Sequence, residues 1–359
     1  MRRMMVTGGA GFIGSNFVRH WRAAHPDDAI TVVDAMTYAG RRENLEDLLG
    51  ERCRLVEADI GDTDRMAALL RDESLDTIVH FAAESHVDRS ITGPDAFLAA
   101  NVEGTWSLLT AARLVWMTEG AAPDTHRFHH VSTDEVYGSL DPGDPAFTED
   151  TPYAPNSPYS ATKAASDHLV RAWHHTYGLE VTTSNCSNNY GPYHFPEKLV
   201  PLMILNALHG RALPVYGEGR NVRDWLHVED HARGIEAVLE RGRPGRTYNI
   251  GGCNEWTNID IVHRVCETID ARFGADPGLA TRYPEAPAAR GEPCSGLIAH
   301  IADRAGHDFR YAIDASRIER ELGFEPAITF ERGIELTVDW YLANPEWWAP
   351  LLGKAAPRP

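Results

Sequence analysis

The first half of the chain alternates short runs of β-branched and other apolar residues with helical stretches of mixed polarity. Six of the short runs predict β-strands, at residues 4–6, 30–33, 54–56, 77–81, 129–131 and 181–183. Strands that alternate with helices in this way form a mostly parallel sheet with helices on both faces. We therefore predict an α/β fold with a Rossmann-type, doubly wound parallel sheet. Its ligand is expected at the carboxyl ends of the strands.

After about Tyr190 the alternation breaks into pieces rich in Pro and Gly, which predicts a smaller C-terminal substrate-binding domain that closes over the edge of the sheet. Residues 271–302 carry many Ala, Pro and Gly and are expected to include a long surface loop. The predicted sheet domain comprises residues 1–187 and the returning segments about 222–252 and 310–345, and the smaller domain comprises about 188–221 and 253–309.

Acidic residues outnumber basic ones, because 52 Asp and Glu against 34 Lys and Arg give a formal net charge of −18. A field of that sign repels nucleic acid and anionic membrane surfaces, so we expect neither as a partner. An anionic small molecule, such as a nucleotide, would have to be held locally by a few Arg or Lys side chains and helix N-termini.

The five cysteines are odd in number and scattered, without a C-x-x-C motif. This pattern predicts neither a disulfide framework nor a structural zinc site, and it fits a reducing, cytoplasmic location. The 17 histidines show no metal-ligand spacing, so no metal is expected. The longest apolar run, residues 199–205, is far shorter than the ~20 residues that cross a bilayer.

A glycine-rich stretch follows the first predicted strand and opens a helix: residues 7–14 read TGGAGFIG. Glycine is required where a side chain would block a tight turn or the approach of a pyrophosphate to the helix N-terminus. Asp34 ends the second strand, where its carboxylate can bind an adenosine ribose and repel a 2′-phosphate, which favours NAD over NADP. Asp59 and Ile60, which end the third strand, are candidates to flank the adenine.

Tyr159 and Lys163 are four residues apart at the start of a predicted helix, so they share one face. A free phenol has a pKa of ~10 and is a poor base near neutrality unless a cation favours its phenolate. The Lys163 ammonium is placed to supply that charge. Taken alone, the pair would equally suit a surface ammonium beside a half-buried ring.

Three polar residues, Thr133, Asp134 and Glu135, come directly after a predicted strand, at the end where doubly wound folds bind their ligands. Two adjacent carboxyl groups can divide acid and base work if their surroundings separate their pKa values. The same residues would also suit a turn with a solvated or helix-capping acidic pair.

Together, the glycine-rich stretch, the Thr133-Asp134-Glu135 triplet and the Tyr159 to Lys163 motif resemble the extended short-chain dehydrogenase/reductase family, and within it the dTDP-glucose 4,6-dehydratases. The acidic pair is the most discriminating piece, because sugar epimerases of this family usually carry small or hydroxyl residues there. Further similar stretches lie at residues 34–40, 82–88, 188–192, 223–226 and 311–314. The sequence departs from the pattern at Ala305, where Pro is usual, and at Ala35, where Lys is frequent.

The resemblance implies a lyase that uses NAD catalytically: C4 of dTDP-glucose is oxidised, water is eliminated across C5 and C6, and the hydride returns to C6. Tyr159, assisted by Lys163, would take the O4 proton, and Thr133 would hydrogen-bond O4. Glu135 would remove the C5 proton, and Asp134 would protonate the departing hydroxyl. By the same resemblance, a homodimer would form through the helix that bears Tyr159 and the helix that follows Asn101.

The resemblance also implies two sets of binding residues. The cofactor set is Gly8, Gly11, Phe12, Ile13, Gly14, Asp34, Thr37, Asp59, Ile60, Ala82, Ala83, Tyr159, Lys163 and Asn189. The nucleotide-sugar set is Ser85, Thr133, Asn188, Lys198, Leu199, Pro214, Tyr216, Arg223, Asn258, Arg304 and His307. Among these, Arg223, Arg304 and Lys198 are the cations expected to face the diphosphate.

Two other classes of function remain open from the sequence. One is a different nucleotide-sugar dehydratase or a 4-epimerase, against which the acidic pair argues because it suits elimination. The other is a non-catalytic NAD-sensing module, which the intact Tyr159, Lys163, Asp134 and Glu135 make less favourable.

Overall fold

The computed structural model describes residues 1–120, 126–303 and 307–352. Its strands are β1 (Arg3–Thr7), β2 (Ala29–Asp34), β3 (Cys53–Glu57), β4 (Thr77–His80), β5 (Arg127–Thr133), β6 (Val181–Cys186), β7 (Asn188–Tyr190), β8 (Leu213–Tyr216), β9 (Val222–His227), β10 (Thr247–Ile250), β11 (Glu255–Thr257) and β12 (Ile298–Ile301). Its α-helices are α1 (Phe12–Ala24), α2 (Thr63–Asp72), α3 (Val87–Thr92), α4 (Asp95–Phe97), α5 (Gly104–Ala112), α6 (Pro158–Tyr177), α7 (Leu199–Leu208), α8 (Val228–Arg241), α9 (Asn258–Ala275), α10 (Gly278–Arg282), α11 (Ser316–Leu322), α12 (Phe330–Ala343) and α13 (Pro345–Trp348).

A seven-stranded sheet with the order β10-β6-β5-β4-β1-β2-β3 forms the centre of the fold. Every pair of neighbouring strands in it is parallel. The order reverses direction between β1 and β4, which is the switch point of a doubly wound sheet. The predicted fold class is confirmed, and the six predicted strands are β1 to β6. The seventh strand, β10, was not predicted because it lies beyond about Tyr190, where the alternation breaks in the sequence.

Helices cover both faces of this sheet and bury an apolar stripe on each. On one face α1 and α8 pack together, with Phe17, Trp21 and Val238 fully buried. On the other face α2, α5 and α6 bury Leu108 and Val170 in a second cluster. The sheet is therefore dry on both sides and open to ligands only at its strand ends.

Helix α6 has clear sequence reasons for its position. Ser157 caps its N-terminus in a reciprocal capping box with Ser160, and Pro158 occupies the first helical position. The helix ends at Gly178, whose φ of 77° is left-handed and suits glycine. This start places Tyr159 and Lys163 in the first two turns, as the sequence predicts.

A second core lies beside the sheet, where α7, α9 and α12 pack around two small sheets, β11-β9-β7 and β12-β8. The apolar run at residues 199–205 is part of α7, which is ten residues long and buries most of its side chains there. Within the described residues, no helix is long and apolar enough to cross a membrane.

The predicted segment 310–345 divides between the two cores. Ile318 and Leu322 pack with α1 and α8, whereas Ile334 and Val338 of α12 pack with α7 and α9. The domain boundaries otherwise remain a prediction.

Residues 271–302 do not form the expected long surface loop. They contain the end of α9, then α10, 3₁₀ turns at Pro287–Arg290 and Cys294–Leu297, and β12. Leu279, Tyr283 and Cys294 in these turns are buried against α9. The high content of Ala, Pro and Gly therefore goes with short helices and turns in this segment, and these still pack against α9.

Candidate active site

A cavity of about 950 Å³ opens at the carboxyl ends of the central strands. Residues that follow β1, β2, β3, β4, β5 and β6 line its wall, and residues 194–199 of the second core close it from the other side. The position agrees with the expected ligand site of a doubly wound sheet.

The glycine-rich stretch forms a turn that side chains would block. A Cβ on Gly8, whose φ is 67°, would lie 2.6 Å from the backbone nitrogen of Ala82. A Cβ on Gly14 would lie 2.4 Å from the carbonyl oxygen of Gly8, so α1 can approach the turn only because both residues are glycine. No side chain caps the N-terminus of α1 at Gly11, and this helix end faces the cavity through Phe12 and Ile13.

Asp34 lies buried at the opposite edge of this turn. Its Oδ2 accepts a hydrogen bond from the Ala10 N–H at 3.0 Å, and its Oδ1 accepts one from the Met36 N–H at 2.9 Å. Burial raises the pKa of Asp34, while these two hydrogen bonds oppose the rise. Each oxygen keeps a second lone pair that can accept a ribose hydroxyl.

The cavity fits a dinucleotide on the structural evidence. It has a glycine turn stripped of side chains, an uncapped helix N-terminus for phosphate, and a carboxylate placed for a ribose. All fourteen residues predicted to hold the cofactor line its wall.

Tyr159 and Lys163 meet the same cavity where β5 ends, and both are more than nine-tenths buried. The Lys163 Nζ donates to the carbonyl of Val131 at 2.9 Å. Burial raises the pKa of Tyr159 well above its usual range; Glu135 and Cys186 add to the rise, and a hydrogen bond with Thr133 opposes it. A reactive phenolate therefore requires positive charge close to the ring oxygen.

The Thr133-Asp134-Glu135 triplet passes from β5 into a 3₁₀ turn, Asp134–Tyr137. The Thr133 hydroxyl caps this turn by accepting from the Glu135 N–H at 3.3 Å. Thr133 and Glu135 line the cavity, but Asp134 does not, because the tight turn directs its side chain into the protein behind the wall. The structure thus brings four of the five predicted catalytic residues to the cavity surface and places the fifth directly behind it.

Asp134 is 1% exposed, and its surroundings favour the neutral acid. Burial raises its pKa well above the usual carboxyl range, the charges of Glu135 and Asp224 add to this, and Arg223 opposes it. Its Oδ1 accepts from the Thr133 hydroxyl at 3.3 Å, whereas its Oδ2 has no partner among the described atoms. A protonated Asp134 is thus an acid with an uncommitted O–H.

Only some predicted substrate residues lie together. Beside Thr133, Ser85, Asn188, Lys198 and Leu199 line the cavity, and the Lys198 Nζ donates to the Ser85 carbonyl at 3.2 Å. The remaining described residues of the set lie outside the wall: Arg223 in β9, Pro214 and Tyr216 in β8, Asn258 at the start of α9, and His307 with its ring centroid 6.0 Å from that of Tyr216.

The two predicted phosphate arginines are placed differently. Arg223 is 5% exposed, and its guanidinium donates to the carbonyls of Val222, Asp308 and Phe309. It also stacks 4.2 Å from the ring centre of Tyr311. Arg304 and Ala305 lie outside the described residues.

Sequence reasoning missed several charged groups near the cavity. Glu84 and Glu197 line it, and Glu197 is buried in an ion pair with Arg89 at 2.9 Å. Asp167 is buried one helical turn beyond Lys163, and the four-residue spacing of the two is visible in the sequence. In the described part of the chain, no group of three or more His, Cys, Asp or Glu is arranged to hold a metal ion.

Comparison with known proteins gives consistent matches. A family model described as GDP-mannose 4,6 dehydratase matches residues 5–337. The dTDP-glucose 4,6-dehydratase of Xanthomonas campestris pv. campestris (strain B100) is 55% identical over 353 residues, which cover 97% of this chain and 95% of that protein. The dTDP-glucose 4,6-dehydratase 1 of Escherichia coli (strain K12) is 52% identical over 355 residues, with 96% and 94% covered.

Among solved structures, DesIV of Streptomyces venezuelae is similar in fold. It is described as a dTDP-glucose 4,6-dehydratase with NAD and TYD bound. It superposes with a TM-score of 0.85 at 47% identity, covering 97% of this chain and 99% of that one. The similarity therefore extends over both cores.

Proposed function

The chain belongs to the dehydratase family described as GDP-mannose 4,6 dehydratase, and from this membership we propose that it converts dTDP-glucose into dTDP-4-keto-6-deoxyglucose with NAD as its cofactor. One observation carries the proposal: Tyr159, Lys163, Thr133 and Glu135 share one cavity wall, and Asp134, whose pKa burial raises, lies directly behind it. Elimination of water needs such an acid and base pair, whereas epimerisation needs only the oxidation of C4 and the return of the hydride to C4.

The cofactor would lie along the glycine turn, with its pyrophosphate at the N-terminus of α1 and its adenosine ribose at Asp34. When bound, the cofactor would accept a hydride from C4 of the sugar in its oxidised form and return it to C6 in its reduced form. Asp34 would select NAD over NADP, because its buried carboxylate repels a 2′-phosphate.

In the oxidation, Tyr159 takes the proton from O4 of the sugar. Because burial holds the Tyr159 pKa high, its phenolate depends on the Lys163 ammonium and on the positive charge of the nicotinamide ring. Thr133, which is hydrogen-bonded to Tyr159, orients O4 toward the phenol. The product of this step is a C4 ketone, which acidifies the neighbouring C5 proton.

In the elimination, Glu135 removes the C5 proton from the cavity side. Asp134 gives its proton to the departing C6 hydroxyl, which leaves as water, and the Thr133 hydroxyl that bonds both Asp134 and Tyr159 links the two steps. Glu135 then returns a proton to C5 when C6 is reduced. The cycle closes when the proton that Tyr159 took from O4 passes to Asp134 by way of the Thr133 hydroxyl, so that the substrate loses one water and both residues and the cofactor end as they began.

The nucleoside diphosphate meets the acidic protein through Lys198, which lines the cavity, and through the predicted smaller domain. Pro214, Tyr216, Asn258 and His307 form that domain's share of the site in this proposal. The cytoplasmic location is part of the same proposal and is supported by the five unpaired cysteines.

We also propose a homodimer through α6 and the helical segment at residues 95–118. The support is a set of exposed apolar side chains on these helices, namely Leu98, Trp106, Leu114, Met117 and Tyr177. Large apolar groups that gather on one surface mark interaction sites.

The test is to incubate the purified protein with dTDP-glucose and to follow the ultraviolet absorbance of a 4-keto product in alkali. We expect the signal to appear with NAD present and to vanish in Tyr159→Phe. An interconverted hexose without loss of water would indicate an epimerase instead. Dinucleotide binding without any turnover of a panel of nucleotide sugars would indicate a non-catalytic module.

A further inference from the structure

A buried carboxyl group lies behind the Tyr159 and Lys163 pair and has no part in the steps above. Asp167 is 5% exposed and sits four residues after Lys163 on α6, so the side chains of both residues are on one face of the helix. Lys163 is 4% exposed, and both groups are therefore removed from water.

Three polar side chains converge on the Asp167 carboxylate. His130 Nε2 lies 3.0 Å from Oδ1, and the hydroxyls of Ser132 and Tyr153 donate to Oδ2 at 2.9 Å and 3.0 Å. The Asn185 amide in turn donates to the Tyr153 hydroxyl at 3.1 Å. A carboxyl group that accepts from so many donors is built to be ionised.

His130 does not neutralise that charge. Burial lowers its pKa well below the usual range, and Lys163 lowers it further, so the ring is neutral and donates one N–H. Its Nδ1 has no partner among the described atoms, which fits a proton held on Nε2 toward Asp167. The other histidine nearby on α6, His168, is exposed.

The remaining titratable groups around the pair carry no opposing charge at neutral pH. Burial holds His80 neutral on β4 and raises the pKa of both Tyr137 and Cys186, which face the pair from the turn after β5 and from β6. Within the described residues, Lys163 is therefore the buried cation whose charge acts on Asp167, and a buried charge is stabilised by an opposite charge nearby.

We propose that Asp167 is a positioning residue that acts through Lys163: its buried carboxylate, held by Ser132, Tyr153 and His130, keeps the Lys163 ammonium charged beside Tyr159. The directions of the pKa shifts agree with this geometry. Burial lowers the pKa of Lys163 and Asp167 opposes the fall, whereas burial raises the pKa of Asp167 to about 6 and Lys163 opposes the rise. Asp167 is then ionised at neutral pH.

Removing this carboxylate charge destabilises the ammonium and lowers the pKa of Lys163. The alkaline limb of the pH profile of kcat reports the loss of the Lys163 proton. In Asp167→Asn we expect this limb to move to lower pH by about one to two units, because that is the size of the pKa change produced by removing a unit charge one helical turn away in a protein interior. A role in packing alone would lower kcat and leave the limb where it is.

The chain offers a direct readout of Lys163 because it contains three lysines, Lys163, Lys198 and Lys354. Lysine labelled with ¹³C at Cε gives three signals, and Lys163→Arg identifies the one from Lys163. In the NAD-saturated protein we expect Asp167→Asn to lower the pKa read from that signal, Asp167→Glu to restore most of it, and Tyr153→Phe to leave it close to wild type, since it removes a hydrogen bond but no charge.

The possible outcomes distinguish this proposal from the proposed function. Only the kcat profile depends on the proposed function, because the Lys163 titration needs no turnover. A Lys163 titration that is the same in Asp167→Asn and wild type overturns the proposal, whatever the activity. If Asp167→Asn lowers the Lys163 pKa but the wild-type protein turns over no sugar nucleotide, the proposed function is overturned. The proposed effect of Asp167 on Lys163 then still holds. If the Asn variant does not fold, the wild-type Lys163 signal should still show a second inflection near pH 6, where Asp167 takes up its proton; a flat signal there contradicts the proposal.

Discussion

Replacement of Asp134 by Asn tests the chemistry of the site most directly. The side chain is 1% exposed and burial raises its pKa well above the usual carboxyl range, so an uncharged amide of nearly the same shape suits the buried position. The amide oxygen can keep the 3.3 Å hydrogen bond from Thr133. The amide NH₂ would replace Oδ2, which has no described partner, and an unpaired N–H there destabilises the fold by about 1 kcal/mol.

The effect on catalysis is expected to be larger, because an amide cannot give a proton to the leaving hydroxyl. Loss of a general acid lowers a rate by about 10²- to 10⁴-fold, or about 3 to 5 kcal/mol in the barrier. Oxidation at C4 does not use Asp134, so reduced-cofactor absorbance should build up on the variant during turnover. Chemical denaturation of the same protein should show only the small stability loss.

A substrate with fluorine in place of the C6 hydroxyl provides the matched control, since fluoride can leave as an anion. We expect the fold-loss of activity in Asp134→Asn to be at least ten times smaller on the fluorinated substrate than on dTDP-glucose. Fluoride needs little help from an acid to leave, so most of the acid's contribution of about 10²- to 10⁴-fold is not required. Equal losses on both substrates would refute the role of Asp134 as the acid. So would normal turnover of dTDP-glucose by the variant.

Three further predictions concern the base, the buried arginine and the assembly. Glu135→Gln should keep C4 oxidation but block elimination, so reduced-cofactor absorbance should build up and C5 of the sugar should not exchange its hydrogen for solvent deuterium; normal turnover with deuterium at C5 would assign the base elsewhere. Arg223→Ala should lower the free energy of unfolding by about 2 to 4 kcal/mol, because it strands three carbonyls that the guanidinium now binds; a raised KM with unchanged denaturation would instead place Arg223 on the diphosphate. Leu98→Glu, on a side chain 51% exposed, should halve the mass seen by sedimentation if the dimer forms through this face, and an unchanged mass would exclude Leu98 from the interface.

The sequence predicted the parts of the fold that local chemistry determines. The strands β1 to β6 contain short runs of β-branched and other apolar residues, and the glycines at 8 and 14 follow the first strand in a dense glycine pattern, so both features can be recognised from local sequence. The position of Asp34 in the site could be predicted because the carboxyl ends of the strands in a doubly wound sheet line the ligand site.

The features that were missed depend on contacts between distant residues. The direction of Asp134 is set by one 3₁₀ turn, and motif spacing does not specify which of two adjacent carboxyl groups faces the cavity. The placement of Arg223 on a phosphate stays a prediction, and its hydrogen bonds to carbonyls about 85 residues away in the chain are contacts that only the tertiary structure reveals. The donors to Asp167 likewise come from β5 and from the segment before α6.

The scarcity of lysine gives the protein an unusual covalent reactivity. Two of its three lysines, Lys163 and Lys198, line the cavity, so a reagent that modifies lysine amines has two of its three targets at the site. Aldehydes and activated esters should therefore inactivate the protein at low stoichiometry, and bound ligands should protect it. Immobilisation on a support is better directed to the plentiful surface carboxylates.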